Sequence, residues 1–300
     1  MKRYVLPLIL IVLLCAELVR VIYLRGQEEK AKKKNVTPVK ETELVPPPLP
    51  ALPELLKEEK PKEEKPKEKP VPPKIMEVEK STPVPSGPPP QGMVYVLYGE
   101  FVMGTNEGTE FEKPKRKITL THYYIDQYEV TNAEYKKFVD ATEHKPPKHW
   151  IDSNYPSGKA NYPVVNVTWY DAEEYAKWVG KRLPSEEEWE KAARGTDGRI
   201  YPWGNEWDET KANTRVGFVT RSSQPVGKYP QGKSPCGAYD LAGNVWEWTT
   251  GKFDEKYRVI RGGSFLQPPE LARSSYRDFF EANKYREDIG FRCVKDVEIK

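Results

Sequence analysis

The chain has 300 residues, and its 48 Lys and Arg against 45 Asp and Glu give a formal net charge of +3. A charge this close to balance provides no overall attraction to a polyanion, so we expect no nucleic-acid partner. With 29 prolines and a hydrophobic fraction of 37%, the chain is too proline-rich and too polar to be one globular domain throughout. The prolines and charges are concentrated in the first third, which indicates that a globular domain follows segments of another kind.

Residues 1–24 predict a membrane anchor. A basic head at Lys2 and Arg3 precedes an apolar stretch that extends, with two charged interruptions, from Tyr4 to Leu24. A membrane-spanning helix needs ~20 mainly apolar residues, a length that this stretch reaches. Leu14 is too large for the residue before a lipoprotein-type cleavage site. We therefore predict an uncleaved, single-pass signal anchor, with the membrane as a partner of the chain.

Residues 25–92 predict a disordered linker. They consist mainly of Lys, Glu and Pro, with proline triplets at 46–48 and 88–90 and a Glu-Lys-Pro repeat across 59–70. This composition builds no core and favours an extended spacer of ~3.1 Å per residue. A ligand for a proline-recognising module is the alternative to a plain tether. Lysines at 32–34 lie on the other side of the apolar stretch from the basic head, so the positive-inside rule favours both orientations of the anchor. We expect the following domain on the outer, periplasmic or extracellular, side.

Residues 93–296 have the composition of a globular domain large enough for one core, with a tail at 297–300. Alternating apolar residues predict short strands at 94–96, 101–103, 118–120 and 123–125. Capping signals at Thr131, Thr168 and Ser185 predict three helices, the last two ending at Gly180 and Gly195. Helical periodicity largely fails after Gly195, which predicts turns and short strands in the remainder.

The segment 237–248 combines two glycines, two tryptophans, an Asn and two carboxylates. Gly243 and Asn244 form a turn dipeptide, and we expect the bulky residues after it to face inward. Asp240 and Glu247 flank the turn, and carboxylates beside free backbone carbonyls suit a hard cation such as Ca²⁺. The alternative is a surface turn whose two acids are solvated.

Other reactive side chains show no recognisable pattern. His122, His144 and His149 lack ligand spacing with one another and with the cysteines, so we expect no transition-metal cluster. Within the domain, Cys236 and Cys293 are 57 positions apart, which leaves a disulfide and two free thiols both open. The sequence contains no CxxC pair, nucleophile elbow, P-loop or dinucleotide fingerprint.

Eight separated segments of the domain occur in the order found in one enzyme family. The segments are Gly99-Glu-Phe-Val-Met-Gly104, Ile125-Asp-Gln-Tyr-Glu-Val-Thr-Asn132, Pro163-Val-Val-Asn-Val-Thr-Trp169, Gly180-Lys-Arg-Leu-Pro-Ser-Glu-Glu-Glu-Trp189, Tyr201-Pro-Trp-Gly-Asn205, Gly243-Asn-Val-Trp-Glu-Trp248, Arg261-Gly-Gly-Ser264 and Gly290-Phe-Arg-Cys293. Through them, residues 93–296 resemble the formylglycine-generating enzyme, or sulfatase-modifying factor, family. The resemblance implies an α+β sulfatase-modifying-factor fold that is related to the C-type lectin fold and poor in regular secondary structure.

The resemblance fails at the family's catalytic residues. The enzymes oxidise a sulfatase cysteine to formylglycine with O₂ and a Cu(I) ion held by two cysteines, and this chain has Gln267 and Ala272 at those positions. Because Cu(I) selects soft thiolate ligands, we expect neither copper nor a catalytic residue here. The disulfide partner of Cys293 in the exported animal enzymes falls at Ala176, so we expect Cys293 to be structural or unpaired.

The resemblance implies that the family's calcium site is retained. Its ligands would be Asp240, the carbonyls of Gly243 and Val245, and the carboxylate of Glu247. The substitution Glu247→Gln is then expected to lower the melting temperature only when Ca²⁺ is present. A second family site begins at Asn213, but the following loop is shorter and its Asp has no counterpart, which makes that site doubtful.

The surface near Ser264 and Gln267, where the enzymes hold their substrate, is the predicted ligand-binding face. Arg273 and Arg277 are candidate contacts for an anion or a peptide. The alternative for these arginines is structural, since buried guanidinium groups in loop-rich domains often pair with otherwise unsatisfied acceptors.

We therefore predict a membrane-anchored, non-catalytic binding module of the cell envelope, stabilised by Ca²⁺, for a protein or small-molecule ligand. One alternative is a divergent oxidoreductase of the family that acts on a protein cysteine or another substrate. A second alternative is a structural component of an envelope assembly.

Overall fold

The computed structural model describes residues 87–217 and 222–297. These residues belong to the second of the chain's two units, Pro72–Lys300. The predicted anchor at 1–24, the linker up to residue 86 and residues 298–300 of the tail lie outside the described part. Within that part, no helix has the length and apolar character needed to cross a membrane.

The four strands predicted from alternating apolar residues are present. They are β1 (Met93–Val96), β2 (Gly99–Met103), β3 (Arg116–Leu120) and β4 (Tyr123–Asp126), and a further strand near the end of the domain is β9 (Val294–Asp296). The strand β4 pairs antiparallel with β1 and with β9, in the order β1-β4-β9. The strands β2 and β3 form a separate antiparallel pair.

The three predicted helices are also present, as α1 (Asn132–Thr142), α2 (Trp169–Trp178) and α3 (Glu186–Arg194). Each begins with a reciprocal capping box, in which the hydroxyl of the capping residue accepts a backbone N–H and an acidic side chain accepts the N–H of the cap. The capping pairs are Thr131 with Glu134, Thr168 with Asp171 and Ser185 with Glu188.

A second sheet carries the segment 237–248 and follows α3, where the sequence predicts short strands and turns. Its strands are β5 (Trp246–Lys252), β6 (Tyr257–Arg261), β7 (Arg277–Glu281) and β8 (Ile289–Gly290). Their order is β7-β6-β5-β8, with β8 parallel to β5 and the other pairs antiparallel. With three α-helices and three sheets among the described residues, the fold is α+β.

Two large hydrophobic clusters form most of the core. The first packs α1 and α2 against Trp246, Trp248 and Phe291, all of which are buried. The second packs Trp189 of α3 against residues of β1, β4 and β9. The Trp189 indole N–H donates to Glu247 Oε2 at 2.7 Å, so a buried polar contact joins the two clusters. This contact positions the candidate site.

Candidate calcium site and binding face

The predicted turn at Gly243 and Asn244 is confirmed and lies directly against Asn213. Gly243 and Asn244 have φ values of 79° and 61°. A Cβ atom on Gly243 would lie 2.5 Å from the carbonyl oxygen of Asn213, so only glycine fits. The Asn244 N–H donates to that same oxygen at 2.8 Å. The turn therefore brings the first residue of the doubtful second site next to the first site.

Both acids that flank the turn are buried. Asp240 is 7% exposed and Glu247 is 0% exposed, so the alternative of solvated acids on a surface turn is wrong. The Glu247 carboxylate receives two hydrogen bonds of 2.7 Å from Arg292, from Nε to Oε2 and from Nη2 to Oε1. Burial favours the neutral form of Arg292, but the charge of Glu247 outweighs this effect and raises the guanidinium pKa. This bidentate ion pair was not predicted.

Glu129 is a third buried carboxylate at the site, and the sequence analysis did not identify it. It is 1% exposed, its Oε1 accepts a hydrogen bond of 3.0 Å from the Asn244 side chain, and its Oε2 has no hydrogen-bond partner. Burial, followed by the charge of Asp240, raises the pKa of Glu129 well above its usual range. Glu129 lies within one of the family segments, which is the signal that could have identified it.

Asp240 completes this group of carboxylates. One of its oxygens, Oδ2, accepts a 2.6 Å hydrogen bond from the backbone N–H of Gly227. Burial raises the pKa of Asp240 to about 6, with the nearby charge of Glu247 acting in the same direction. Glu129, Asp240 and Glu247 thus carry three negative charges when ionised, against one positive charge on Arg292. Full ionisation would leave two negative charges in excess, and the raised pKa values of Glu129 and Asp240 reduce this excess because they favour the protonated carboxyl groups.

These residues fit a hard divalent cation. Oε2 of Glu129 receives no hydrogen bond from a donor, and once the carboxyl group is ionised it is an oxygen ligand of the kind that Ca²⁺ takes, as are backbone carbonyls. Across 87–217 and 222–297, no group of three or more His, Cys, Asp or Glu side chains is arranged as a metal cluster. A cation here must therefore take part of its coordination from backbone carbonyls, such as those of Gly243 and Val245, or from water. It would also share Glu247 with Arg292.

Asn213 retains one unused acceptor at the doubtful second site. Its side chain is buried, and its Nδ2 donates to the carbonyl of Ser222 at 2.9 Å and to Asn244 Oδ1 at 3.2 Å. Its own Oδ1 has no hydrogen-bond partner. One buried amide oxygen is thus available to a water or a cation, but the sequence motif supplies no carboxylate to accompany it.

The residues of the predicted binding face point in different directions. The Ser264 side chain is buried, and its hydroxyl donates to Asp288 Oδ2 at 2.6 Å. Gln267 is half-buried, and its backbone carbonyl accepts a hydrogen bond of 2.8 Å from the N–H of Arg215. Ser264 therefore contributes to internal structure, whereas part of Gln267 remains accessible.

Both arginines of that face form ion pairs with buried acids. Arg273 Nη2 lies 2.8 Å from Glu112 Oε2, and Arg277 Nη2 lies 2.6 Å from Glu186 Oε1. The Arg273 guanidinium lowers the pKa of Glu112 against the opposing effect of burial. These ion pairs support the structural role that was the alternative for both arginines, although both guanidinium groups remain partly exposed.

The positions of the family's copper ligands do not fit Cu(I). Ala272 is buried in a small cluster with Ala212 and Ala242, with tryptophan side chains packed against it. Neither its methyl group nor the Gln267 amide is a soft ligand. Of the thiols in the described part, Cys236 and Cys293 are both free, which settles the alternative that the sequence left open. Burial raises the pKa of each thiol, so both are neutral at physiological pH.

Comparison with known proteins identifies the family. Residues 79–297 match the sulfatase-modifying factor enzyme 1-like domain, and the chain belongs to this family. It is 35% identical over 265 residues to the serine/threonine-protein kinase Pkn1 of Chlamydia trachomatis, a match that covers 77% of this chain and 42% of the kinase. The chain thus spans less than half the length of that relative.

Two further relatives differ in what their names say about activity. The chain is 32% identical to the inactive Cα-formylglycine-generating enzyme 2 of Bos taurus, with 67% of this chain and 87% of that protein covered. It is 31% identical to the hercynine oxygenase of Mycobacterium tuberculosis, with 66% of this chain and 59% of that protein covered. The relatives of this chain therefore include an inactive protein and an oxygenase at similar levels of identity.

Among solved structures, PvdO from Pseudomonas aeruginosa has a similar fold. Its TM-score is 0.59 at 27% identity, and the match covers 68% of this chain and 94% of PvdO. This similarity supports the assigned fold.

Proposed function

We propose that residues 93–296 form a non-catalytic, Ca²⁺-stabilised binding domain that the N-terminal segment holds at the outer side of a membrane. The observation that carries the non-catalytic part is the pair of residues at the family's thiol positions. Gln267 and Ala272 supply no soft ligand, and the Ala272 methyl group is packed into a hydrophobic cluster. An inactive relative that aligns over most of its length is consistent with this proposal.

The calcium part of the proposal is based on the buried carboxylates. Asp240, the carbonyls of Gly243 and Val245, and a carboxylate oxygen from Glu247 or Glu129 would hold the ion. Bound Ca²⁺ would neutralise the excess negative charge and stabilise the folded state. We infer a structural role for the ion, because the carboxylates that would hold it are buried.

The first test is an assay for formylglycine formation. We expect the purified chain to leave a Cys-Thr-Pro-x-Arg peptide unchanged in the presence of Cu(I) and O₂, as measured by mass spectrometry. A catalytically active member of the family serves as the positive control. The double variant Gln267→Cys, Ala272→Cys tests whether the missing thiols alone account for the inactivity.

A loss of mass at the peptide cysteine with the unmodified chain would contradict the proposal and favour a divergent oxidoreductase. The oxygenase relative gives that alternative its support. An oxidoreductase that acts on a different substrate would need ligands other than Gln267 and Ala272.

The second test concerns the linker. If it is only a tether, a chain without residues 26–91 should capture the same partners from an envelope extract as the full chain does. Both chains are immobilised in equal amounts, with Ca²⁺ and with a chelator, and the captured proteins are compared by mass spectrometry. A partner that requires 26–91 would instead place the contact in the linker and support the role in an envelope assembly.

A further inference from the structure

A cavity of about 400 Å³ lies between the turn that joins β1 to β2 and the C-terminal end of α3. One wall is apolar and consists of Tyr95, Val96, Leu97 and Pro235. Its volume is within the range of about 300–1,000 Å³ that is common for small-molecule sites. None of its lining residues belongs to the calcium site or to the predicted binding face.

Lys191 of α3 lines this cavity and is a buried cation without a counter-ion. It is 3% exposed, and its Nζ donates to the carbonyls of Leu97 at 2.7 Å and Gly99 at 2.8 Å. No carboxylate of the described residues forms an ion pair with it. An ammonium group has three N–H donors, so one donor is not used by these contacts. Because burial disfavours the charged form, it lowers the pKa of Lys191 to about 8.

The other polar groups of the cavity do not compensate this charge. Arg199 is bound to Asp197 at 2.7 Å, which makes that pair neutral overall. The Cys236 thiol is neutral because burial raises its pKa, and it donates to the carbonyl of Ala192. The cavity therefore combines an apolar wall with one uncompensated positive charge, the ammonium group of Lys191, whose third N–H is free.

We propose that this cavity binds a small monocarboxylate with an apolar body. The carboxylate would accept the third N–H of Lys191, and the apolar body would lie against Tyr95, Val96, Leu97 and Pro235. A phosphate is usually bound by several converging donors, such as an arginine fork or a row of backbone N–H groups. Here the Arg199 fork is already occupied by Asp197. A single uncompensated ammonium group with one free N–H matches a singly charged carboxylate better.

The test is a titration of the full chain with 2-naphthoate at pH 7, in which isothermal titration calorimetry measures the binding. We expect one site per chain. The variant Lys191→Met should weaken binding by about 10-fold or more, because it removes a charge-assisted hydrogen bond. The variant Thr196→Trp should weaken binding similarly, because Thr196 lies at the exposed rim and the indole would fill the cavity while leaving Lys191 intact. The matched control is Lys177→Met, which removes an exposed lysine of α2.

Three results would overturn the proposal. The first is unchanged naphthoate affinity in Thr196→Trp, a variant that remains informative if Lys191→Met does not fold. The second is equal affinity for the uncharged analogue 2-naphthylmethanol, which would show that the charge of Lys191 is not recognised. The third is an affinity for inorganic phosphate equal to that for naphthoate, which would indicate a site for an anion without an apolar body. If the cavity binds no such ligand, the role of Lys191 is limited to its hydrogen bonds with the carbonyls of Leu97 and Gly99.

Discussion

The substitution Arg292→Leu should lower the free energy of unfolding by about 3–5 kcal/mol, the range measured when one partner of a buried ion pair is removed. Arg292 and Glu247 are both fully buried and joined by two hydrogen bonds. The loss of the guanidinium would leave Glu247, Glu129 and Asp240 without their common counter-charge. It would also leave the carbonyls of Asp126 and Tyr239 without a donor.

Denaturant unfolding at pH 7 measures this effect. The matched control is Arg199→Leu, which removes an ion pair with the exposed Asp197 and should change the free energy of unfolding by no more than ~1 kcal/mol. The two variants remove the same type of side chain, so a difference between them reflects burial and the cluster of acids. If the two losses were equal, the buried ion pair would have no special role in stability.

This ion pair also corrects the expectation for Glu247→Gln. The sequence predicts that this substitution matters only when Ca²⁺ is present, because it treats Glu247 as a ligand of the ion alone. In the structure, Glu247 also accepts hydrogen bonds from Arg292 and Trp189. The variant should therefore be less stable with or without Ca²⁺, and it does not discriminate between a calcium site and a structural ion pair.

The local signals in the sequence predicted the secondary structure well. Alternating apolar residues and capping boxes act over a few positions, and the structure has strands and helices where they occur. The turn at Gly243 and Asn244 was predictable for the same reason. The topology was not, because β9 joins β4 across most of the domain and β8 adds to β5 in parallel.

The candidate site was predicted only in part, since its charges come from distant positions in the chain. Nothing near Glu247 indicates that Arg292 will bind it, and nothing near Asp240 indicates that Glu129 will lie beside it. Lys191 looks like an ordinary solvent-facing lysine among the acids of α3, and only the fold shows that it is buried. Such pairings depend on how elements far apart in sequence pack together.

Calcium should raise the free energy of unfolding of the unmodified chain by ~2.7 kcal/mol at a hundredfold excess over its dissociation constant. Asp240→Asn should remove most of this gain, because it takes a negative charge from the site. In chelator at pH 7 the same variant should be at least as stable as the unmodified chain, since it no longer buries an ionised carboxylate. The measurement is denaturant unfolding in excess Ca²⁺ and in excess chelator.

The pH dependence in chelator provides a second readout. The folded protein holds the Asp240 proton up to about pH 6, whereas the ordinary pKa of an aspartic acid is 3.8. The folded state therefore binds more protons than the unfolded state between these values, and this contribution to stability is lost as the pH rises through 6. Asp240→Asn should remove that loss, whereas Asp140→Asn, at an exposed position of α1, should not. The stabilisation by Ca²⁺ should grow over the same interval, because the ion binds the ionised carboxylate.

Identical unfolding curves for the unmodified chain in Ca²⁺ and in chelator at pH 7 would exclude the site.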